Sequence, residues 1–490
     1  MDLSLSCLIV RARTAPDLSI APLRTDLSPQ RIPLGKMMPP MANLRALLVS
    51  YSFPPVGGAG VQRVLKLAKY LPAHGVTPTV LTVSNPSVPV VDASLEKDFP
   101  PGMRVIRVPT FEPGYGLKKA AWKVEKQEGP SERKEASPLE RAKNEIKQAA
   151  IRKLSSVAKE MLVPDPQVLW QPSAQIALLR ELVAKEKPDV VFISGPPFSQ
   201  FLLTPLVRIA RSSALVLDYR DEWSTYRTTY EMMGSSIGKK VGDALEERLF
   251  HLAHRVTAAT DEFRDNLLSM FGGASDRVRA IPNGYDVEDV PETLDAQPVD
   301  KLTLVYAGTL FKLTSIRGLV GGMRRLRERR PDLADKLRLK IFGRIVDTEE
   351  DMFHDAEALG IERLGYVPHA EVFRALSKAH KVLCTLDEVP GVERIYPAKI
   401  FEIMALGRPA LILSPPGTLT RLVDKHRLGD LLPPRDEVAI ASYLEREVLA
   451  FMGGTLALRS SAVGIERYSR KALAGEFAEV MREAVSVARR

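Results

Sequence analysis

Cysteine is almost missing from this 490-residue chain, which holds Cys7 and Cys384, far apart in sequence. That count excludes a disulfide framework and a cysteine-built zinc site, and it fits a reducing compartment. Long apolar runs are missing too. No window approaches the roughly eighteen consecutive apolar residues that a spanning helix needs, so any membrane attachment would be peripheral. The common phosphate fingerprints are incomplete: Arg63 stands at the third glycine position of G-x-G-x-x-G, and no G-x-x-x-x-G-K-[ST] loop occurs. There is no Asp-x-Asp pair of the kind that holds a divalent metal.

The chain has ample material for more than one core. At 45% hydrophobic residues over this length, two domains of about 200 residues each are expected. The formal net charge is +9, and residues 115 to 160 hold twelve Lys or Arg against seven Glu, so that +5 of the excess is local. Such a segment suits a solvated basic helix pair, anionic lipid or an acidic substrate. Nucleic acid is not expected, since the excess lies in one insertion without interleaved aromatics.

Residues 1–43 read as a disordered leader, with six prolines in the first forty residues and little periodicity. Met37, Met38 and Met41 stand just before the first strand, which raises an alternative start. Leu44–Ser50 reads as a strand, and Val61, Val64, Leu65, Ala68 and Leu71 mark the helix after it. Between them Gly57, Gly58 and Gly60 make a turn whose bare N–H groups and helix dipole suit a phosphate, unless chain geometry alone requires it. Further strand stretches are expected at 76–83, 104–108, 189–194, 214–223, 255–260 and 278–284. An insertion at 112–163 reads as two helices, with Ile146, Ala150, Leu154, Val157 and Met161 on one apolar side. Asp218, Arg220 and Asp221 cluster at a strand end, either as functional groups or as an arginine held by two carboxylates.

Leu302–Leu310 restarts strand and turn afresh, with strands following at 337–344, 363–367, 381–386 and 410–413. The stretch from Tyr396 to Pro416 packs a helix, its Gly407 stop and a buried strand, the signature of a doubly wound sheet. Lys399 and Glu402 share one helix edge facing the carboxyl ends of the strands, where such sheets bind ligands. An ammonium and a carboxylate there suit a nucleotide, the alternative being an i,i+3 surface ion pair. Residues 459 to 489 read as one long helix that returns to the first domain.

Taken together, Gly57-Gly-Ala-Gly60, Gly195-Pro-Pro-Phe-Ser199, Asp218-Tyr-Arg-Asp-Glu-Trp223, Ile281-Pro-Asn-Gly284, Tyr306-Ala-Gly-Thr309 and Lys399-Ile-Phe-Glu402 resemble the family 4 glycosyltransferases of the GT-B fold. The branch concerned carries a D-[FY]-R-D-x-W signature, and the resemblance covers about residues 44 to 455. It implies an α/β protein of two Rossmann-like, doubly wound domains facing a cleft: an acceptor-side domain at 44–290, a nucleotide-sugar domain at 291–455, and a helix at 456–490 going back to the first. The implied reaction is a retaining transfer from a nucleoside diphosphate sugar to a glycan, lipid-linked or polysaccharide-precursor acceptor. Asp221, Arg317 and Lys399 form the implied catalytic set. Gly57, Gly58, Gly60, Gly308, Thr309, Lys312, Arg344, Glu393 and Glu402 form the implied donor-binding set, with Glu402 reading the ribose hydroxyls and one of Arg317, Lys312 or Arg344 neutralising the diphosphate.

Two departures stand out. Eight residues before Glu402, where the family places a first glutamate, this chain has Arg394 with Glu393 beside it, and Phe198 stands where related chains carry histidine. In a retaining transfer the leaving diphosphate oxygen can take the acceptor proton, so cations and helix N-termini suffice. No metal or other cofactor is expected. A cytoplasmic location is expected, with peripheral contact at an anionic inner membrane face. The rival readings are a nucleotide-sugar 2-epimerase on the same architecture and a non-catalytic nucleotide-sugar-binding protein.

Overall fold

The computed structural model describes residues 43–116, 118, 162–223, 236–291 and 293–490. Apart from their margins, the expected leader and the expected helical insertion lie outside the described residues.

The first lobe runs β1 (Leu44–Val49), α1 (Ala59–Tyr70), β2 (Val76–Val83), β3 (Arg104–Val108), α2 (Gln171–Val183), β4 (Val190–Gly195), α3 (Thr204–Ala210), β5 (Ala214–Tyr219), α4 (Ser236–Leu252), β6 (Arg255–Ala258), α5 (Asp261–Phe271) and β7 (Val278–Ala280). Its seven strands form one sheet in the order β3-β2-β1-β4-β5-β6-β7, and every pairing is parallel. Parallel strands need helical crossovers on both faces, which is why the central runs β1, β4 and β5 are almost wholly buried, while the edge strand β3 exposes Arg104 and Arg107. In β1, Ala46 and Leu48 enter the core beneath α1, while Leu47 and Val49 enter the opposite core beneath α2.

The second lobe continues with β8 (Leu302–Ala307), α6 (Arg317–Arg329), β9 (Leu337–Phe342), β10 (Ile361–Gly365), α7 (His369–Ser377), β11 (Lys381–Thr385), α8 (Lys399–Leu406), β12 (Ala410–Leu413), α9 (Thr418–His426), β13 (Gly429–Leu432) and α10 (Glu437–Met452). Its six strands are again parallel, in the order β10-β9-β8-β11-β12-β13. The strand order reverses beside β1 in one sheet and beside β8 in the other. Both glycine turns singled out in the sequence therefore sit at switch points, where the diverging crossovers leave a crevice.

One expectation is corrected. The stretch 459–489 is not a single helix, because α11 spans Arg470–Ala488 and starts at Ser469, whose hydroxyl accepts from the Ala472 N–H. Upstream, the N–H groups of Ser460 and Val463 donate to the Gly407 and His426 carbonyls of the second lobe, which diverts that stretch from helix. From Arg470 onward α11 lies on the first lobe, with Leu473, Phe477, Ala478 and Met481 in one core with Ala46, Leu48, Val61 and Val64. Where the chain leaves the first lobe at Tyr285 and returns at Tyr468 to Arg470, the two passes hydrogen-bond to each other at 2.7 and 3.0 Å.

Candidate active site

The second-lobe crevice is built by backbone that side chains would block. Gly308 (φ 144°) follows β8 and Gly343 (φ 122°) follows β9, and a Cβ on Gly343 would collide with the Gly308 carbonyl. A Cβ on Gly308 would stand 3.0 Å from the Lys399 Nζ. The turn is fixed by the Gly308 N–H to Phe342 O (2.8 Å) and by the Tyr306 and Thr314 hydroxyls, which donate to Thr309 O at 3.0 and 2.7 Å.

Into this turn projects Lys399, the first residue of α8. Its Nζ lies 3.6 Å from the centroid of the Tyr306 ring, is shut off from solvent and has no hydrogen-bond partner among the described residues. An aromatic face returns about 0.5–2 kcal/mol to such a cation. That is less than three unmet donors cost, so the site is electrostatically incomplete and an anion would complete it. Burial pushes the Cys384 thiol on β11 up to about 11, with Lys399 pulling it down. Arg344 and Thr309 flank the same turn and are exposed.

Glu402, one turn along α8, is half-buried. Its charge acts on a group the sequence did not suggest, Arg470 at the head of α11. Burial draws the Arg470 guanidinium down to about 10, Arg63 lowers it further, and Glu402 opposes both. The remaining second-lobe candidates lie elsewhere on the turn's surroundings. Lys312 is exposed at the start of a short 3-10 turn (Lys312–Thr314). Arg317 heads α6 but donates to Asp351 (2.9 Å) and to Thr348 O (2.6 Å), an ion pair within its own lobe. Glu393 is exposed and paired with Arg394.

In the first lobe, the glycine turn is held open by its neighbours. The Gly57 N–H donates to Val90 O at 3.0 Å, Gly58 (φ 94°) precedes α1, and no side chain caps that helix. Arg220 bonds the carbonyls of Gly60, Gly195 and Pro196, tying the turn to the end of β4. Of the two carboxylates expected around Arg220, Asp218 pairs with another guanidinium. Asp218 instead takes Arg63 of α1 (2.7 and 3.0 Å), with the Ser194 and Thr257 hydroxyls each donating at 2.7 Å. Burial alone would raise the Asp218 carboxyl, but Arg63 and the two hydroxyls outweigh it and hold it below the usual range. Asp221 stands exposed just past the end of β5. The glycine turn also meets the second lobe, since a Cβ on Gly57 would come 3.4 Å from the Tyr366 hydroxyl.

Two parallel, doubly wound lobes with the crossover helix returned to the first define the GT-B architecture. Comparison with known proteins agrees. Residues 136–284 match the model of the Glycosyl transferase 4-like domain. The D-inositol 3-phosphate glycosyltransferase of Stackebrandtia nassauensis is 29% identical over 222 residues, 41% of this chain and 48% of that protein, so the match spans about half the relative's length. Among solved structures, sucrose-phosphate synthase from Thermosynechococcus elongatus superposes with a TM-score of 0.57 at 17% identity, over 90% of this chain and 98% of that one. Anabaena HepE, solved with UDP and glucose, gives 0.55 at 15% identity over 90% and 99%. TarM gives 0.56 at 10% identity over 91% and 100%. At these identities the structural likeness is one of fold.

Among the described residues no helix is long and apolar enough to cross a membrane, and no cluster of three His, Cys, Asp or Glu is placed to hold a metal ion.

Proposed function

We propose that this chain is a retaining glycosyltransferase that takes a nucleoside diphosphate sugar in its second lobe and an acceptor of glycan, lipid-linked or polysaccharide-precursor type in its first. The observation that carries the donor reading is Lys399: a buried ammonium over Tyr306 with no hydrogen-bond partner among the described residues, beside the Gly308 turn, where a Cβ would stand 3.0 Å from its Nζ. Diphosphate oxygens would supply the missing acceptors, and Arg344 stands at the same turn to share the charge. As the glycosidic bond to the diphosphate breaks, negative charge grows on the leaving oxygen, and a fixed cation there lowers the barrier. The acceptor proton would pass to that oxygen, so no separate protein base is required and metal-independent turnover follows. Glu402 is assigned to the ribose hydroxyls, and the uncapped N-terminus of α1 at Gly58 to the donor's phosphate side across the cleft.

The family-model match and the inositol phosphate glycosyltransferase relative support transfer over the rival epimerase and binding readings. A panel of UDP, GDP and ADP, each free and as its sugar conjugate, should include at least one pair that raises the melting temperature. The matching sugar nucleotide should release its diphosphate faster when acceptor is added, and chelator should not stop it. Conversion of the sugar nucleotide to its C2 epimer without acceptor would point to the epimerase, and no melting shift with any nucleotide would remove the donor reading.

A further inference from the structure

The place where this chain departs from the resembling pattern is also where its two lobes grip each other. Glu222, 5% exposed at the end of the Asp218–Trp223 stretch of the first lobe, takes the Arg394 guanidinium of the second at two points, Nε at 2.5 Å and Nη2 at 2.7 Å. Asn266 of α5 donates to the same carboxylate at 3.0 Å. Thr260, which caps α5 by accepting from the Phe263 N–H, donates its own hydroxyl to the Arg394 carbonyl at 2.8 Å. From the other side the short turn Val392–Arg394 is backed by Gly417, where a Cβ would stand only 2.7 Å from the Glu393 Cα. The turn is therefore fixed by both lobes at once.

We propose that Glu222 and Arg394 form an interlobe latch that fixes the Val392–Arg394 turn and holds the second lobe's donor crevice at a set spacing from the first lobe. Both are positioning residues: neither is required to touch substrate. The argument is geometric. A guanidinium fork on a nearly buried carboxylate has one good arrangement, so parting the lobes takes the Arg394 guanidinium away from Glu222 and leaves it with Glu393 of its own turn. Five residues further on, Lys399 begins the helix that carries the diphosphate cation, so the latch and the donor site share one rigid connection. This deepens the donor reading above and rests on it.

The test uses the full chain with Glu222→Gln, Arg394→Lys and Glu222→Gln/Arg394→Lys. Affinities for UDP, GDP and ADP and for their sugar conjugates are measured by calorimetry, turnover by diphosphate release, and lobe separation by small-angle scattering. Arg394→Lys keeps the charge and loses the fork, so it separates geometry from charge. The expected result is unchanged affinity for the free diphosphate, a turnover about 10- to 100-fold lower, a weakened preference for the sugar conjugate, and a larger radius of gyration. The double variant should be no worse than the worse single, the mark of two groups acting as a unit. Additive losses, or a lower melting temperature with turnover and scattering unchanged, would overturn the latch. Should no nucleotide bind the wild-type chain, the donor reading falls, and scattering on the same variants still decides whether the pair holds the lobes together.

Discussion

Lys399 illustrates how a candidate binding group can be picked out by what it lacks. The fold spends stability to hold an ammonium over Tyr306 with its donors unmet, and that makes sense only if something else completes it. Lys399→Met keeps length and bulk while removing the charge. Its apo form should melt at the same temperature as wild type or higher, because an unpaired buried cation is gone. Its affinity for the diphosphate that shifts the wild-type melting point should fall at least tenfold by calorimetry, on the order of 1.4 kcal/mol or more. A purely structural lysine would show the opposite pattern, a lower melting temperature with affinity untouched. The lysine itself was legible in the sequence, since its place in the first turn of a helix ending at Gly407 set the edge it occupies. Tyr306 as its cushion was not, because that contact joins segments that no local period relates.

Elements were read best where burial is total. The unalternating run at 410–413 coincides with the wholly buried β12, because a strand covered on both faces leaves no polar register to interpret, whereas 76–83 and 104–108 coincide with β2 and β3 despite exposed positions at Thr77, Arg104 and Arg107. What ties elements together was hidden. Arg63 looked like a spoiled glycine position, yet it is the bolt between α1 and the end of β5, reached across 155 residues of sequence by Asp218. Replacing one half of such a pair strands the other. Asp218→Asn should lower the unfolding free energy by about 3–5 kcal/mol at neutral pH, measured by denaturant titration. The sign of the pH effect follows from the depressed carboxyl. Its stabilisation is in place above the unfolded value near 3.9 and is lost as pH falls through the lower native value, so the gap between variant and wild type should close below about pH 4.

At the scale of the whole molecule, the two-lobe plan was legible from the restart of strand and turn at Leu302, whereas the seam between the lobes was not. Arg394 and Glu222 are 172 residues apart, and nothing local marks either as half of a pair. The integrity of the first lobe depends on residues beyond the second. A chain stopped after Tyr468 would leave the core beneath α1 without Leu473, Phe477, Ala478, Met481 and Ala484. At about 1.5–3 kcal/mol for each large side chain, that loss rivals the usual 5–15 kcal/mol margin of a folded protein. Hydrogen exchange should then show β1, β4 and β5 unprotected while β8, β11 and β12 stay slow, and equal protection in both sheets would refute that dependence. There is also a consequence in time. During synthesis, residues 44–280 emerge with one side of their sheet only partly covered, by α1, and the rest of its cover, residues 473–485, arrives roughly ten to forty seconds later at about 5–20 residues per second. A nascent chain with such a wound must be shielded by a chaperone or by its own disorder, so slowing translation over the second lobe should drive this protein into aggregates while sparing one whose domains close as they appear.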